Sequence, residues 1–168
     1  MDTTPPSELT AQHIVEELLR IFDECFLGAD KAGAFLEPGP NGLLGLLEQL
    51  SAEQASQPAA GASVAAHARH VAFSLNAFHE WIQGKRDITY DWKRSWQQHI
   101  VDDDQWRQLQ KEIRGHHDAL KTAITTNAPV DAKSAWGAVG VLTHTAYHLG
   151  AIQVKFDELR AFQGPATP

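Results

Sequence analysis

Between Ala135 and Ile152 the chain runs for 18 residues without a single Asp, Glu, Lys or Arg. Ala, Gly, Val, Leu and Ile dominate the run, and a helix made of them has no polar face to turn to water. Such a helix needs more than one packing partner. The run has about the length that raises a membrane span, for which roughly 18 or more apolar residues are wanted. Its two histidines, two threonines and three glycines argue instead for a buried core helix. Gly137 and Gly140 would let a neighbouring helix approach closely. Either a central place in a single-chain bundle or a homodimer contact could cover the face that remains.

The rest of the chain supplies partners of helical period and no convincing period-2 strand. A first helix is expected from about Thr10 to Leu27, with Ile14, Leu18, Ile21, Phe22 and Phe26 on its apolar face and Gly28 as its stop. A short helix from Leu43 to Leu50 lies in the following connection, which closes as a loop at Gln57-Pro-Ala-Ala-Gly61. The second main helix runs from the N-cap Ser63 to Gln83. After it, Lys85 to Val101 is aromatic and polar, too long for a tight turn, and reads as a packed loop crossing the bundle. Asp102 caps a third helix whose stripe is Trp106, Leu109, Ile113, Leu120 and Ile124, and Pro129 separates it from a fourth, Asp131 to Phe162. Gly164 to Pro168 reads as a frayed tail. The expected architecture is all-α: one domain over residues 1–168, a four-helix bundle with a long connection between helices 2 and 3.

Composition narrows the partners. A net charge of −7 and the lack of a basic patch with interleaved aromatics argue against nucleic acid and anionic membranes. One cysteine, Cys25, excludes an internal disulfide and a cysteine-rich zinc site, and its helical setting makes it a small buried hydrophobe. With no basic-then-apolar leader at the N-terminus, the expected location is cytoplasmic.

Nine histidines are many for 168 residues. His144 and His148 sit one turn apart within the uncharged run, on one helix face with roughly 5–6 Å between Cβ atoms, where two imidazoles can converge on one metal ion. The bland alternative is two separately hydrogen-bonded core histidines. On the second helix His67 and His70 both fall in the arc of Val71, Ser74, Ala77, Phe78 and Trp81, so either could supply a third ligand across the bundle. Trp81, Phe78 and the fourth helix would give that site a dry pocket. His79 falls near Asn76 on the solvated side. His116 and His117 flank the stripe of the third helix, and His13 and His99 look peripheral. The Glu-x-x-His pairs of a di-iron bundle, a Gly-rich phosphate loop and a Ser-His-Asp or Cys-His arrangement are all lacking.

The segments Ser63-Val-Ala-Ala-His67-Ala-Arg-His70-Val71 and Gly140-Val-Leu-Thr-His144-Thr-Ala-Tyr-His148-Leu-Gly150-Ala-Ile152 resemble the DinB-like superfamily, which includes YfiT-like proteins. The resemblance extends in helix order over nearly the whole chain, including a long second-to-third connection with Asp91-Trp92. It implies a metal-dependent four-helix bundle. The family pattern picks His70, His144 and His148 as ligands, with His67 the rival for the first place or a group orienting a ligand. Three neutral imidazoles leave positions open for water or substrate, the pattern of a catalytic zinc-type site. Zinc or nickel is expected first, with iron or manganese also compatible. The resemblance further implies a small-molecule substrate, homodimers in many members, and either hydrolysis or thiol S-transfer with a low-molecular-weight thiol. No residue of this sequence is assigned to that thiol. The alternative is a metal- or ligand-binding bundle without turnover, in a stress-response or scaffold role.

Overall fold

A computed structural model describes residues 8–58 and 61–161, and among these residues it is all-helical, without a strand. Helix α1 covers Ala11–Leu27, α2 Leu43–Glu48, α3 Ala52–Ser56, α4 Val64–Ile82, α5 Asp103–Asn127 and α6 Ala132–Ala161. The four long helices, α1, α4, α5 and α6, form the body. α4 packs chiefly on α5 and α6, and α1 packs on α6, α2 and α5. No helix among the described residues is long and apolar enough to cross a membrane. The expected tail, Gly164 to Pro168, and Phe162 lie outside the described residues.

Each long helix starts where local chemistry satisfies its free N–H groups. Thr10 and His13 form a reciprocal capping box at α1, and Asp102 and Gln105 do so at α5. Ser63 Oγ accepts from the Ala66 N–H and donates to the His99 carbonyl at 2.7 Å, so one hydroxyl caps α4 and anchors the crossing loop. Asp131 accepts from the Ser134 N–H at the start of α6. A further short helix, α3, was not expected from the sequence. Its signal is nonetheless local: Ser51 and Gln54 make another capping box.

The stripe of α5 lies where its spacing puts it, with Trp106, Leu109, Ile113, Leu120 and Ile124 all buried. That of α1 keeps the expected Leu18, Phe22 and Phe26 and departs from the expected line at its start. Ile14 is exposed and Val15 takes its place, because the core-facing line runs through Leu18, Leu19, Phe22 and Phe26. Cys25 is fully buried, and burial, then the Glu24 charge, pushes its thiol up to about 12, which makes it a packing group rather than a nucleophile.

α4 is the thin element that lets the bundle close: Ala65, Ala66, Ala68 and Ala72 are completely buried. α6 meets it through glycine. A Cβ at Gly137 would stand 2.8 Å from Trp81 Cδ1, and one at Gly140 would stand 2.7 Å from the Phe78 ring. Small residues on α6 thus make room for large ones on α4. Part of α6 stays open, with Trp136, Val139, Tyr147 and Val154 exposed, so the body buries only part of this apolar helix.

Glu24 is the unexpected structural residue. It is buried, and its carboxylate accepts the backbone N–H groups of Ala34, Phe35 and Leu36 at 2.7, 2.9 and 2.7 Å. Burial pushes its pKa up, but the three N–H bonds together prevail and hold it below the ordinary glutamate value. Glu24→Gln turns one acceptor into a donor facing donors and is expected to cost about 1–3 kcal/mol in urea unfolding. An unchanged midpoint would show that the loop carries no stability.

Candidate metal centre

His67 and His70 stand on adjacent turns of α4, and His144 and His148 on adjacent turns of α6, the two helices facing each other. One nitrogen each from His70, His144 and His148 lie within 4.8 Å of one another, close enough to hold a metal ion. His70 Nε2 approaches His144 Nε2 to 3.2 Å. His67 stands outside this trio, with its Nδ1 3.1 Å from His148 Nδ1.

The protons around the trio can be assigned from two serines. Ser95 Oγ donates its only proton to the Trp92 carbonyl at 2.7 Å, so toward His70 Nδ1, also at 2.7 Å, it must accept. Ser74 Oγ donates to the Val71 carbonyl at 2.8 Å and must likewise accept from His144 Nδ1 at 3.1 Å. Both neutral imidazoles therefore carry hydrogen on Nδ1, and both Nε2 atoms are bare lone pairs. Two bare lone pairs face each other across 3.2 Å of a largely buried space. That contact is repulsive unless a cation lies between them. The residues thus fit a metal ion in their proton inventory as well as their spacing. For His148 the contact with His67 occupies Nδ1, which leaves Nε2 for the same centre.

Solvent exclusion keeps the imidazoles uncharged. Burial holds His70 down to about 4, helped by His144 and His67, and burial with the charges of the other three holds His148 down to about 3. His67 is lowered to about 4 by burial and then by Lys155, and His144 is lowered by burial. Neutral imidazole is the form that ligates metal. Trp96, in the short 3-10 turn Arg94–Trp96, stacks on His70 with ring centroids 4.1 Å apart and meets His67 edge-on at 5.1 Å. Tyr147 stands edge-on to His148 at 5.0 Å.

Ser95 and Trp96 were not singled out from the sequence as site residues. Both lie in the crossing loop, where no periodicity marks which side chains turn inward. Ser74 was placed on the correct arc, and its position four residues after His70 could have marked it as a partner. The remaining histidines lie elsewhere. His117 is buried between α1 and α5, where Nε2 meets Asp23 at 2.9 Å and the ring stacks on Phe22. His116 lies 3.8 Å from Glu112, and His79 is partly buried rather than solvated. His13 caps α1, and His99 is exposed and uses its carbonyl.

Comparison with family models, curated proteins and solved structures yields no match to this chain.

Proposed function

We propose that the chain is a metal-dependent enzyme of the DinB-like type, which acts on a small molecule by hydrolysis or thiol transfer at a divalent ion held by His70, His144 and His148. The observation that carries this reading is the 3.2 Å approach of two Nε2 atoms, each on a ring whose Nδ1 faces a serine hydroxyl that already donates to a backbone carbonyl. A divalent ion on three neutral imidazoles supplies Lewis acidity and keeps a position open for a further ligand. Zinc or nickel is the favoured occupant, and iron or manganese is compatible with an all-imidazole set.

The chain's own residues do the rest. Ser95 and Ser74 fix the tautomers of His70 and His144, the role that outer partners of metal ligands commonly fill. His67 Nδ1 faces His148 Nδ1 at 3.1 Å, and with that atom of His148 engaged its Nε2 is the nitrogen left to ligate. Trp96 covers one face of His70 and keeps bulk water off it. Removing a tautomer-fixing hydroxyl by Ser95→Ala is expected to weaken divalent-metal affinity about 10–100-fold while the fold stays intact. Calorimetric titration of zinc checks this, and an unchanged affinity would remove Ser95 from the centre.

The direct test is elemental analysis of purified, untagged protein beside His70→Ala and His148→Ala. A stoichiometric divalent metal lost from both variants supports the reading. Loss only in His148→Ala would move the third ligand to His67. Absence of metal after exposure to zinc, nickel, iron and manganese would leave the histidines a structural role. A thiol-transfer screen with model electrophiles then separates transfer from hydrolysis.

A further inference from the structure

Next to the histidines opens a cleft of about 240 Å³ that the metal centre does not use. Its walls are Phe78 and Trp81 from α4, Trp136 from α6, and Ile88, Tyr90 and Trp92 from the crossing loop. Five aromatic side chains in so small a space is a strong compositional bias. Two cations stand at its edge, and both already have anionic partners. Arg86 is held by Asp131 and by Ser134 Oγ at 3.1 Å, with its guanidinium 5.7 Å over the Trp81 ring. Lys85 Nζ lies 3.7 Å from Glu80, whose other oxygen accepts the Tyr90 hydroxyl at 2.7 Å.

These observations set the class of ligand. A net charge brought into the cleft would lose water against apolar walls and meet only cations already paired with carboxylates, which is costly. The partnerless buried Arg86 Nε, by contrast, offers one donor that a neutral hydroxyl satisfies. A flat ring would meet aromatic faces and edges on several sides, pairings that are favourable beyond the area they bury. An apolar cavity of about 150 Å³ holds one benzene, and drug-sized ligands want about 300 Å³ or more. The space here suits one substituted ring or two fused rings.

The cleft also shares walls with the metal centre. Phe78 lies 6.0 Å from His144, and Trp92 lies 6.0 Å from His70, ring centre to ring centre. We propose that this cleft is the recognition subsite for an uncharged mono- or bicyclic aromatic group, which it seats beside the histidine trio. That the seated group is the substrate rests on the metal-dependent reading above. That the cleft binds it does not.

Calorimetry on the full chain with 2-naphthol, 2-naphthoate and 2-naphthylmethylammonium tests the assignment, because the three probes share a ring and differ in charge. Each is titrated with a chelator present and again with zinc. The expected result is saturable binding of 2-naphthol, about tenfold tighter than either charged probe and weakened about tenfold by Trp136→Ala, each factor corresponding to about 1.4 kcal/mol. Trp136 is 62% exposed, so the fold should survive its truncation, and a parallel melting curve verifies that it does. Ile88→Ala is the second variant and should weaken binding in the same direction.

No saturable binding of 2-naphthol, equal or tighter binding of a charged probe, or indifference to both variants would overturn the proposal. Loss of binding as the protein self-associates at higher concentration would also overturn it, by showing that a second copy covers the cleft. Zinc titration of the same samples keeps the two readings apart. Zinc binding without naphthol binding sinks the subsite alone, and naphthol binding without zinc binding sinks the metal centre alone.

Discussion

With metal removed by a chelator, the folded chain is expected to lose stability steeply as pH falls from about 6.5 toward about 4. The sign follows from where protons prefer to bind. In the unfolded chain the four site histidines take protons near the ordinary imidazole value of 6.5, whereas in the fold burial holds His67 and His70 down to about 4 and His148 to about 3. Below 6.5 the unfolded state therefore binds more protons, and stability falls with pH until the folded values are reached. A displacement from 6.5 to about 4 is worth about 3 kcal/mol per group at full titration. The groups act in the same direction, against the 5–15 kcal/mol of a typical domain. Carboxylates act in a lower window: the neighbouring His116 and the doubly hydrogen-bonded Arg69, against burial, bring Glu112 to about 2, so its contribution is lost only below about 4.5. Urea unfolding at half-unit steps from pH 7.5 to 4 reads the profile. A flat line between 6.5 and 4.5 would contradict the buried, neutral state of these rings.

Zinc is expected to reverse that fragility. An ion that binds only the folded chain stabilises it by about 4 kcal/mol at a thousand times its dissociation constant. For a domain of this size that is about 8–16 °C in the melting temperature. His148→Ala should abolish the shift, because it removes one of the three converging nitrogens and also frees His67 Nδ1 from its partner. His67→Ala should keep most of it, since His67 stands outside the trio. Differential scanning calorimetry of the three proteins, each with and without zinc, is sufficient. A shift lost equally in both variants would make His67 a ligand, and no shift in the parent chain would argue against a metal centre altogether.

What could be read in the sequence was what a single helix fixes by itself. The His144–His148 pair, the stripe of α5 and the caps at Ser63 and Asp102 depend on spacing within a few residues, and the expected positions hold. The burial of Ile14 depended on the phase of α1 against its neighbours, and there Val15 takes its place. The Ser51–Gln54 capping box was legible and passed over. Glu24 carried no signal, since its partners at Ala34, Phe35 and Leu36 become neighbours only when the loop folds back. Ser95 and Trp96 are of the same kind: each reaches a histidine more than twenty residues earlier in the chain, from a segment without period. Sequence spacing located the histidines on their helices. Tertiary contact alone decided which nitrogen of each faces the others.

The chain separation within the trio has a kinetic side. His70 and His144 are 74 residues apart, whereas His144 and His148 are one turn apart. A chain that has formed α6 but not docked it on α4 can offer an ion only a two-toothed grip. An ion present during folding therefore meets a weak site first and a tighter one at docking, so its effect on the refolding rate would report how early these two helices come together.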